Sequence, residues 1–399
     1  MRHSLLSASF LIATLSSASV ACAQKVSLEP DAWTPTFKAD AQRAGLESAY
    51  LPRLFPSSHA SNLLLLRNGD LLCFWFSGVD EGQSDVGIVV SRLPKGSDTW
   101  QTPILIDHDP TKSYQNPVPF EAPDGTIWLL HTQQSAGKGQ ADAQILKTVS
   151  HDGGKTWNKQ TVLFPKAGAY DRQPIIISDK GEWLLPIYYS TSSGITNGAD
   201  TNYSAVEVSN DHGKTWQQHD VPKSEGLVQM SIVKLAPHKY VAFFRSRYAD
   251  HIFRSTSTDG LAWTEPQPTD LPNNNASIQA ALLKDGNIVM AFDNTSGHKP
   301  GHTLQTGARA PLSLGLSSDE GLHWQHVRDL EVHDAQFTVS DDSVRHEEYS
   351  YPSVLQMPDG KIIASYTFRR IGIKAARLDE SWIVQGSTEG EYKPAAASK

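Results

Sequence analysis

Cysteine is scarce in this sequence, with 2 residues among 399. Cys22 falls within an N-terminal stretch that we expect to be removed, which would leave Cys73 alone and exclude an intramolecular disulfide. The sequence neighbours of Cys73 are Leu, Phe and Trp residues, so we expect a buried and unreactive thiol. The sequence therefore excludes a disulfide-rich scaffold.

Positive net charge is also missing, since the formal net charge is -8 and the pI is near 6.0. A nucleic-acid partner would require a basic surface, so we expect no such partner, although a local basic pocket for an acidic sugar remains compatible. Helical periodicity is absent. The sequence has no Gly-rich phosphate loop and no His-x-His or Cys cluster suited to a transition metal, so we expect neither a cofactor nor a metal.

The sequence contains no apolar run long enough to span a membrane. The longest, from Leu5 to Leu15, is too short for a spanning helix. It follows Arg2 and His3 and precedes an Ala-x-Ala site around Cys22, a pattern typical of an export signal over residues 1–23. We therefore expect the protein to reach the periplasm or the medium as a monomer, with lipid attachment at Cys22 as the alternative.

One short motif recurs along the chain. Residues 150–157 read Ser-x-Asp-x-Gly-x-Thr-Trp, residues 209–216 repeat it, and looser copies occupy 257–263, 317–324 and 91–100. The tryptophans that end these copies are separated by 57, 59, 47 and 61 residues, a period typical of repeat folds. Asp and Gly favour a tight turn, and the Trp ring can pack between neighbouring units. We therefore predict a structural role for the motif.

A second repeat interlocks with the first and consists of an apolar strand, a short turn and a second apolar strand. Asn-Gly and Asp-Gly turns between apolar runs are strong hairpin signals. The repeat occurs at 59–76, 116–131, 172–189, 229–245, 277–292 and 351–366. Six such units predict an all-β fold, a six-bladed β-propeller. We place it at 51–385, between a lead-in strand or wrap over the first blade at 24–50 and a C-terminal tail at 386–399.

Polar side chains begin the innermost strands of the predicted blades. Because these strands line the axis of a propeller, we expect their first side chains to converge on one pocket. Counting back about nine residues from each hairpin glycine gives His59, Asn116, Arg172, Gln229, the stretch 275–277 and Tyr351. Arg245 and Arg309 can join this ring. Arg side chains pair with carboxylates, so the pocket is predicted to bind an oxygen-rich, anionic ligand.

The Asp-turn repeats, the six units and the last repeat together resemble the sialidases (neuraminidases). As in that family, Tyr351 stands eight residues before Asp359 and follows Ser350. The resemblance implies that Tyr351 is the nucleophile and that Arg245 and Arg309 are the second and third arginines that bind the carboxylate of the sugar. It covers about residues 51–385.

Two positions depart from the family pattern. His59 stands where the family has the arginine of an Arg-Ile-Pro motif, and Gln229 stands where it has the glutamate that polarises the tyrosine. Gln cannot take a proton, so Glu225, Glu347 or Glu348 are candidate replacements. The acid/base residue of the family lies on the loop after the second strand, where this chain has Asp80, Glu81 and Asp85 as candidates.

Three functions are compatible with these residues. The first is exo-hydrolysis of a terminal acidic sugar, most simply a sialoside, with Tyr351 as nucleophile and Arg172 assisting Arg245 and Arg309. The second is a lyase acting on uronate-containing glycans, in which His59 and Tyr351 move protons while Asn116 or Arg172 neutralises the uronate carboxylate. The third is a glycan-binding propeller without catalysis, since the first arginine and the glutamate are replaced.

Overall fold

The computed structural model describes residues 33–41, 43–137, 140–190, 201–297, 309–332, 348–386 and 388. These residues form six small antiparallel sheets arranged as a six-bladed β-propeller, which confirms the predicted fold class. The described chain contains little helix, with a short α1 (Glu380–Val384) and a 3-10 turn at Gln140–Asp142 as its named helical elements. None of its helices is long and apolar enough to cross a membrane.

The strands follow the chain from blade to blade. Two come before the first blade, β1 (Lys38–Ala39) and β2 (Leu46–Tyr50). The first blade contains β3 (Ser57–Leu65), β4 (Leu71–Gly78), β5 (Gly87–Leu93) and β6 (Ile104–Asp107). The second contains β7 (Lys112–Glu121), β8 (Ile127–Ser135), β9 (Gln144–Ser150) and β10 (Thr161–Phe164). The third contains β11 (Ala169–Asp171), β12 (Ile176–Ile177), β13 (Trp183–Tyr189), β14 (Tyr203–Ser209) and β15 (Gln217–Asp220).

The remaining three blades use the same order, with the innermost strand first. The fourth contains β16 (Leu227–Ala236), β17 (Lys239–Ser246), β18 (His251–Ser257) and β19 (Gln267–Pro272). The fifth contains β20 (Gln279–Leu282), β21 (Ile288–Asp293), β22 (Leu312–Ser317) and β23 (His326–Glu331). The sixth contains β24 (Tyr349–Gln356), β25 (Ile362–Phe368) and β26 (Gly372–Leu378).

The N-terminal strands close the ring of blades. β2 pairs antiparallel with β26, and β1 pairs with β2, so the sixth blade takes its outermost strands from the start of the chain. Ahead of them, Thr36 bridges to Thr99 at the edge of the first blade. Within the predicted lead-in segment, β1 and β2 thus belong to the sheet of the sixth blade, so strands of the propeller begin before residue 51.

The repeated Asp-turn motif forms the hairpin between the third and fourth strands of a blade. In the copy at 150–157, the Asp152 carboxylate accepts hydrogen bonds from two backbone N–H groups of the turn at 3.0 and 2.9 Å. The Ser150 hydroxyl accepts a third at 2.8 Å. Trp157 packs edge-on against Phe74 of the preceding blade. These contacts confirm the predicted structural role of the motif.

The hydrophobic core is divided into clusters that each lie between two adjacent blades. Trp183 of the third blade, for example, meets the rings of Phe120 and Trp128 of the second. Cys73 lies in the cluster between the sixth and first blades, where burial raises the pKa of its thiol to about 12. Its predicted burial is confirmed, and a thiol with this pKa is a poor nucleophile.

Candidate active site

Four of the innermost strands carry an irregularity at the same place. The pairing register shifts within β3, β7, β16 and β24, and φ is positive at Ala60, Asn116, Gln229 and Tyr351. A β-bulge bends the strand and re-aims a side chain, which here turns these residues out of the regular alternation. In the first blade the equivalent residue is Ala60, so the spacing argument that selected His59 was wrong by one position.

Tyr351 stands at the centre of the site. Its side chain is only 9% exposed, and its hydroxyl accepts a hydrogen bond from Arg245 Nη1 at 2.6 Å. The same nitrogen donates to Gln229 Oε1 at 3.1 Å, and Arg245 Nε donates to Asn275 Oδ1 at 2.9 Å. The structure thus brings together Tyr351, Arg245, Gln229 and one member of the predicted stretch 275–277.

Three guanidinium groups lie near the Tyr351 ring. The Cζ atoms of Arg309, Arg172 and Arg245 lie 5.3, 5.4 and 5.6 Å from the ring centroid. Burial opposes ionisation of the phenol, but the charges of Arg245 and Arg309 outweigh it and lower the pKa of Tyr351 to about 8. A lowered pKa is one of the standard means of activating a nucleophile. Gln229, being neutral, adds no charge that would oppose this effect.

Arg172 lies in the gap between β11 and β12 and is 1% exposed. Its guanidinium donates to the carbonyl oxygens of Ser61, Tyr351 and Pro352 at 2.9–3.1 Å. Its Nε donates to Ser277 Oγ at 3.0 Å. These bonds join the third blade to the first, fifth and sixth across the axis. The arrangement favours a structural role for Arg172 over the predicted role in holding a ligand.

Glu348 is the buried carboxylate of the site, with 5% exposure. It forms ion pairs with Arg309 and with Arg370, the second at 2.6 Å, and His59 Nδ1 lies 3.6 Å from it. Burial disfavours the charged form, but Arg309 and Arg370 hold the pKa of Glu348 well below its usual range. At neutral pH Glu348 is therefore an anion that compensates two arginines, and it has no proton to donate.

His59 packs against the nucleophile candidate although it does not occupy the bulge position. The centroids of the His59 and Tyr351 rings are 4.2 Å apart. His59 Nδ1 forms a hydrogen bond of 2.8 Å with Thr367 Oγ1. Burial and the charge of Arg370 lower the pKa of His59 well below its usual value, against the opposing effect of Glu348. The imidazole is therefore neutral and cannot replace the charge of the arginine that the family has here.

The loop after β4 carries the three carboxylates that the sequence offers as the acid. Glu81 Oε2 accepts a hydrogen bond of 2.6 Å from Arg370, and its charge is close enough to oppose the ionisation of Tyr351. Asp85 instead accepts the backbone N–H of Val79 at 2.7 Å, and Asp80 accepts that of Glu81 at 2.9 Å. Glu81 is thus the carboxylate that reaches the site, while Asp85 and Asp80 shape the loop.

The remaining sequence candidates lie apart from this cluster. Asn116 is buried at the bulge of β7, and the hydrogen bonds among the described residues do not connect it to Tyr351. Glu225 is exposed. Glu347 lies outside the described residues. Glu348 is therefore the one glutamate, of the three suggested to replace the missing carboxylate, that the structure places in the site.

Sequence reasoning missed four ionisable residues in or near the site: Arg247, Arg370, Asp171 and Asp293. Both aspartates are about 1% exposed or less, and burial raises the pKa of each to about 8. Asp171 directly precedes Arg172, and Asp293 ends β21. Arg370 follows β25 in a tight turn with positive φ. A signal was available only for Arg247, which follows Arg245 by two residues at the end of β17.

A sequence model described as a BNR repeat-like domain matches residues 69–363. A curated sialidase from Micromonospora viridifaciens is 24% identical over 368 residues, which cover 82% of this chain and 52% of that protein. The chain therefore spans about half the length of this relative.

Several solved structures share the fold. A Hadza microbial sialidase has a TM-score of 0.65 and 16% identity, over 82% of this chain and 66% of its own. An intramolecular trans-sialidase from Ruminococcus gnavus has a TM-score of 0.64 and 13% identity, over 84% of this chain and 97% of its own. A protein of unknown function from Dyadobacter fermentans has a TM-score of 0.64 and 17% identity, over 84% of this chain and 99% of its own. At these identities the similarity shows the fold alone.

Proposed function

Because the chain belongs to the BNR repeat-like family and is a divergent member of the sialidase-like superfamily, we propose that it is a retaining exo-glycosidase. Its substrate is a glycan with a terminal acidic sugar, and sialic acid is the first candidate. The observation that carries the proposal is the 2.6 Å hydrogen bond between Arg245 and the Tyr351 hydroxyl, next to Arg309. A phenol activated by cations is a suitable nucleophile beside the carboxylate of an acidic sugar.

In the first step, Tyr351 Oη attacks the anomeric carbon and the bond from this carbon to the leaving oxygen breaks. Gln229 cannot remove the phenol proton, so Tyr351 reacts as the phenolate, which Arg245 and Arg309 stabilise. For this step Glu81 leaves its ion pair with Arg370 and takes up a proton from solvent. It then gives this proton to the leaving oxygen, a contribution of about 10²–10⁴-fold to the rate. A Tyr nucleophile is an accepted alternative to a carboxylate in sialidase-type hydrolysis.

In the second step, water attacks the anomeric carbon of the sugar bound to Tyr351. Glu81 takes a proton from the water, and the Tyr351 phenolate leaves. Arg245 again stabilises the phenolate through the bond that it makes in the free protein. The sugar is released with its original anomeric configuration, because two displacements have occurred at the same carbon.

The test is release of sialic acid from a fluorogenic sialoside by the wild type and by Tyr351→Phe. We expect the substitution to lower kcat by at least about 10³-fold, because it removes the nucleophile. Tyr189→Phe, whose hydroxyl bonds Gln218 in the third blade, is the matched control and should retain activity. No release by the wild type from a range of sialosides would refute the sialidase form, and glycan binding without turnover would favour a binding protein.

A second candidate is a lyase for uronate-containing glycans. The observation in its favour is the packing of a neutral His59 against Tyr351, with ring centroids 4.2 Å apart. Such a pair could remove the C5 proton of a uronate and protonate the leaving oxygen. A lyase yields an unsaturated product that absorbs ultraviolet light, whereas a hydrolase yields none, so absorbance during digestion of a uronate polymer distinguishes the two.

A further inference from the structure

Arg247 lies in the turn that follows β17, two residues after Arg245. We propose that Arg247 binds the carboxylate of the acidic sugar together with Arg245, on the side of the pocket formed by the third and fourth blades. The inference rests on the proposed use of an acidic sugar and names the residue that supplies the charge lost at His59.

The first argument is that Arg247 is a buried cation with no carboxylate partner in the part of the chain that the structure describes. Its side chain is 5% exposed, and among the described residues it forms no ion pair. Its Nη2 donates to Gln140 Oε1 at 3.3 Å, a long hydrogen bond, and its Nε has no acceptor. Buried charged groups are normally paired, and a buried donor without an acceptor calls for an explanation. Nε and Nη2 form the edge of the guanidinium that grips a carboxylate with two bonds.

The second argument is the contrast with the arginines on the other side of Tyr351. Arg309 and Arg370 already share the carboxylate of Glu348, and Arg370 also pairs with Glu81. A substrate carboxylate that approached them would meet two negative charges. Arg245, like Arg247, has neutral partners only. The attraction for an anion is therefore strongest at Arg245 and Arg247.

The third argument is the rigid packing beside Arg247. Its Cζ lies 6.0 Å from the centroid of the Tyr188 ring, and Tyr188 stacks on Tyr170 at 5.2 Å. The Tyr170 hydroxyl donates to Gln134. Both rings are buried, Tyr170 at 0% and Tyr188 at 2% exposure, so they hold the Arg247 guanidinium in one place. A binding group that is already held in position loses little conformational entropy when it binds a carboxylate.

The fourth argument is the electrostatic effect of Arg247 on two neighbouring tyrosines, Tyr188 and Tyr351. Burial raises the pKa of Tyr188 to about 12, and Arg247 is the largest charge opposing this effect. Arg247 also assists Arg245 and Arg309 in lowering the pKa of the buried Tyr351. A carboxylate bound at Arg247 would therefore lie near the nucleophile, as the proposed reaction requires.

The experiment measures binding, so that its outcome does not depend on turnover. The probes are the methyl glycosides of N-acetylneuraminic acid and of glucuronic acid, each as the free acid and as the neutral methyl ester, titrated by calorimetry. The variants are Arg247→Gln, which removes the charge, and Arg247→Lys, which retains charge without the two-bond edge. The control is Arg254→Gln in β18, because the Arg254 Nε donates to the carbonyl of Glu320 away from the site.

We expect Arg247→Gln to weaken binding of the preferred acid by at least tenfold and to leave the ester within twofold. Arg247→Lys should recover part of the loss, and Arg254→Gln should bind like the wild type. Equal losses for acid and ester, with a lowered unfolding temperature, would show a structural role and overturn the inference. Unchanged acid binding in Arg247→Gln, or no binding of either acid by the wild type, would also overturn it. The expected pattern without hydrolysis would refute the glycosidase proposal alone.

Discussion

The Asp-turns at the outer edge of the blades and the axial site hold their carboxylates in different ways. Asp211 in an outer turn is half-buried, and hydrogen bonds from Thr215 and Ser209, residues of its own turn, lower its pKa to about 2. Glu348 at the axis is buried and depends on Arg309, 39 residues away, and on Arg370 after the next strand. The carboxylate of this outer turn is therefore held by residues of its own turn, whereas the axial site is one network of distant residues.

The axial network is itself divided. On the side of the sixth and first blades, Glu348 and Glu81 compensate Arg309 and Arg370. On the side of the third and fourth blades, Arg245 and Arg247 have neutral partners. Compensated arginines stabilise the protein, and uncompensated ones remain available for a ligand, so stability and binding are assigned to opposite sides of Tyr351.

The largest effect is expected from removing the charge of Glu348. Glu348→Gln leaves Arg309 and Arg370 as buried cations without a counter-charge, and we expect a loss of about 3 kcal/mol in the free energy of unfolding. Glu320→Gln is the matched control, because Glu320 forms an exposed ion pair with Lys239, worth about 0–1 kcal/mol. Urea denaturation measures both. Similar losses for the two variants would remove the distinction between the axis and the outer edge.

The next effect concerns pH and the buried carboxyl of Asp171. Burial raises its pKa to about 8 in the folded protein, above the value near 4 expected after unfolding. Its contribution to stability is therefore complete below about pH 4 and declines as the pH rises to 8. Asp171→Asn should remove this decline, which amounts to at most about 1.4 kcal/mol per pH unit. Denaturation at several pH values between 5 and 8 tests it, and parallel curves for variant and wild type would contradict it.

A smaller effect is expected when a carboxylate is introduced on the side of the third and fourth blades, where Arg245 and Arg247 have neutral partners. Gln229→Glu places a negative charge beside Arg245, which opposes ionisation of Tyr351. We expect the pKa of Tyr351 to rise by about one unit, or about 1.4 kcal/mol. Ultraviolet titration of the phenolate, with Tyr351→Phe subtracted, measures it.

The same charge change at the edge of a blade provides the control for this titration. Gln218→Glu in β15 lies next to Tyr189 instead of Tyr351, and it should leave the pKa of Tyr351 unchanged. An unchanged pKa of Tyr351 in Gln229→Glu would show that the arginines do not control the nucleophile.

The contrast between outer turns and axis also explains what the sequence could predict. The turn at 150–157 was predictable because the hydrogen bonds that Ser150 and Asp152 make to shape it lie within eight residues, and the equivalent strand starts led to Tyr351 and Gln229. Contacts of the axial network are not local: Glu81 and Arg370 are 289 residues apart, and His59 and Thr367 are 308 apart. Spacing in the sequence does not encode the strand register that places Ala60 at the bulge of β3. It also does not encode the packing across the axis that gives Arg172 its internal hydrogen bonds and Glu348 its two arginine partners.

The smallest effect is expected in the outer turns themselves. The Ser150 hydroxyl is buried, accepts the N–H of Gly154 and donates to Asp152, and Ser209 makes the equivalent bonds in the third blade. Ser150→Ala should cost about 1 kcal/mol, the usual net value of such a hydrogen bond, and Ser209→Ala should cost the same.

Because the two turns share no hydrogen-bond partner, the free-energy losses in the double variant should add to within about 0.5 kcal/mol. Urea denaturation of the two single variants and the double variant measures this sum, with no change expected in the pKa of Tyr351. A coupling larger than 1 kcal/mol would mean that the turns communicate through the blades, and the outer edge would then be a network like the axis.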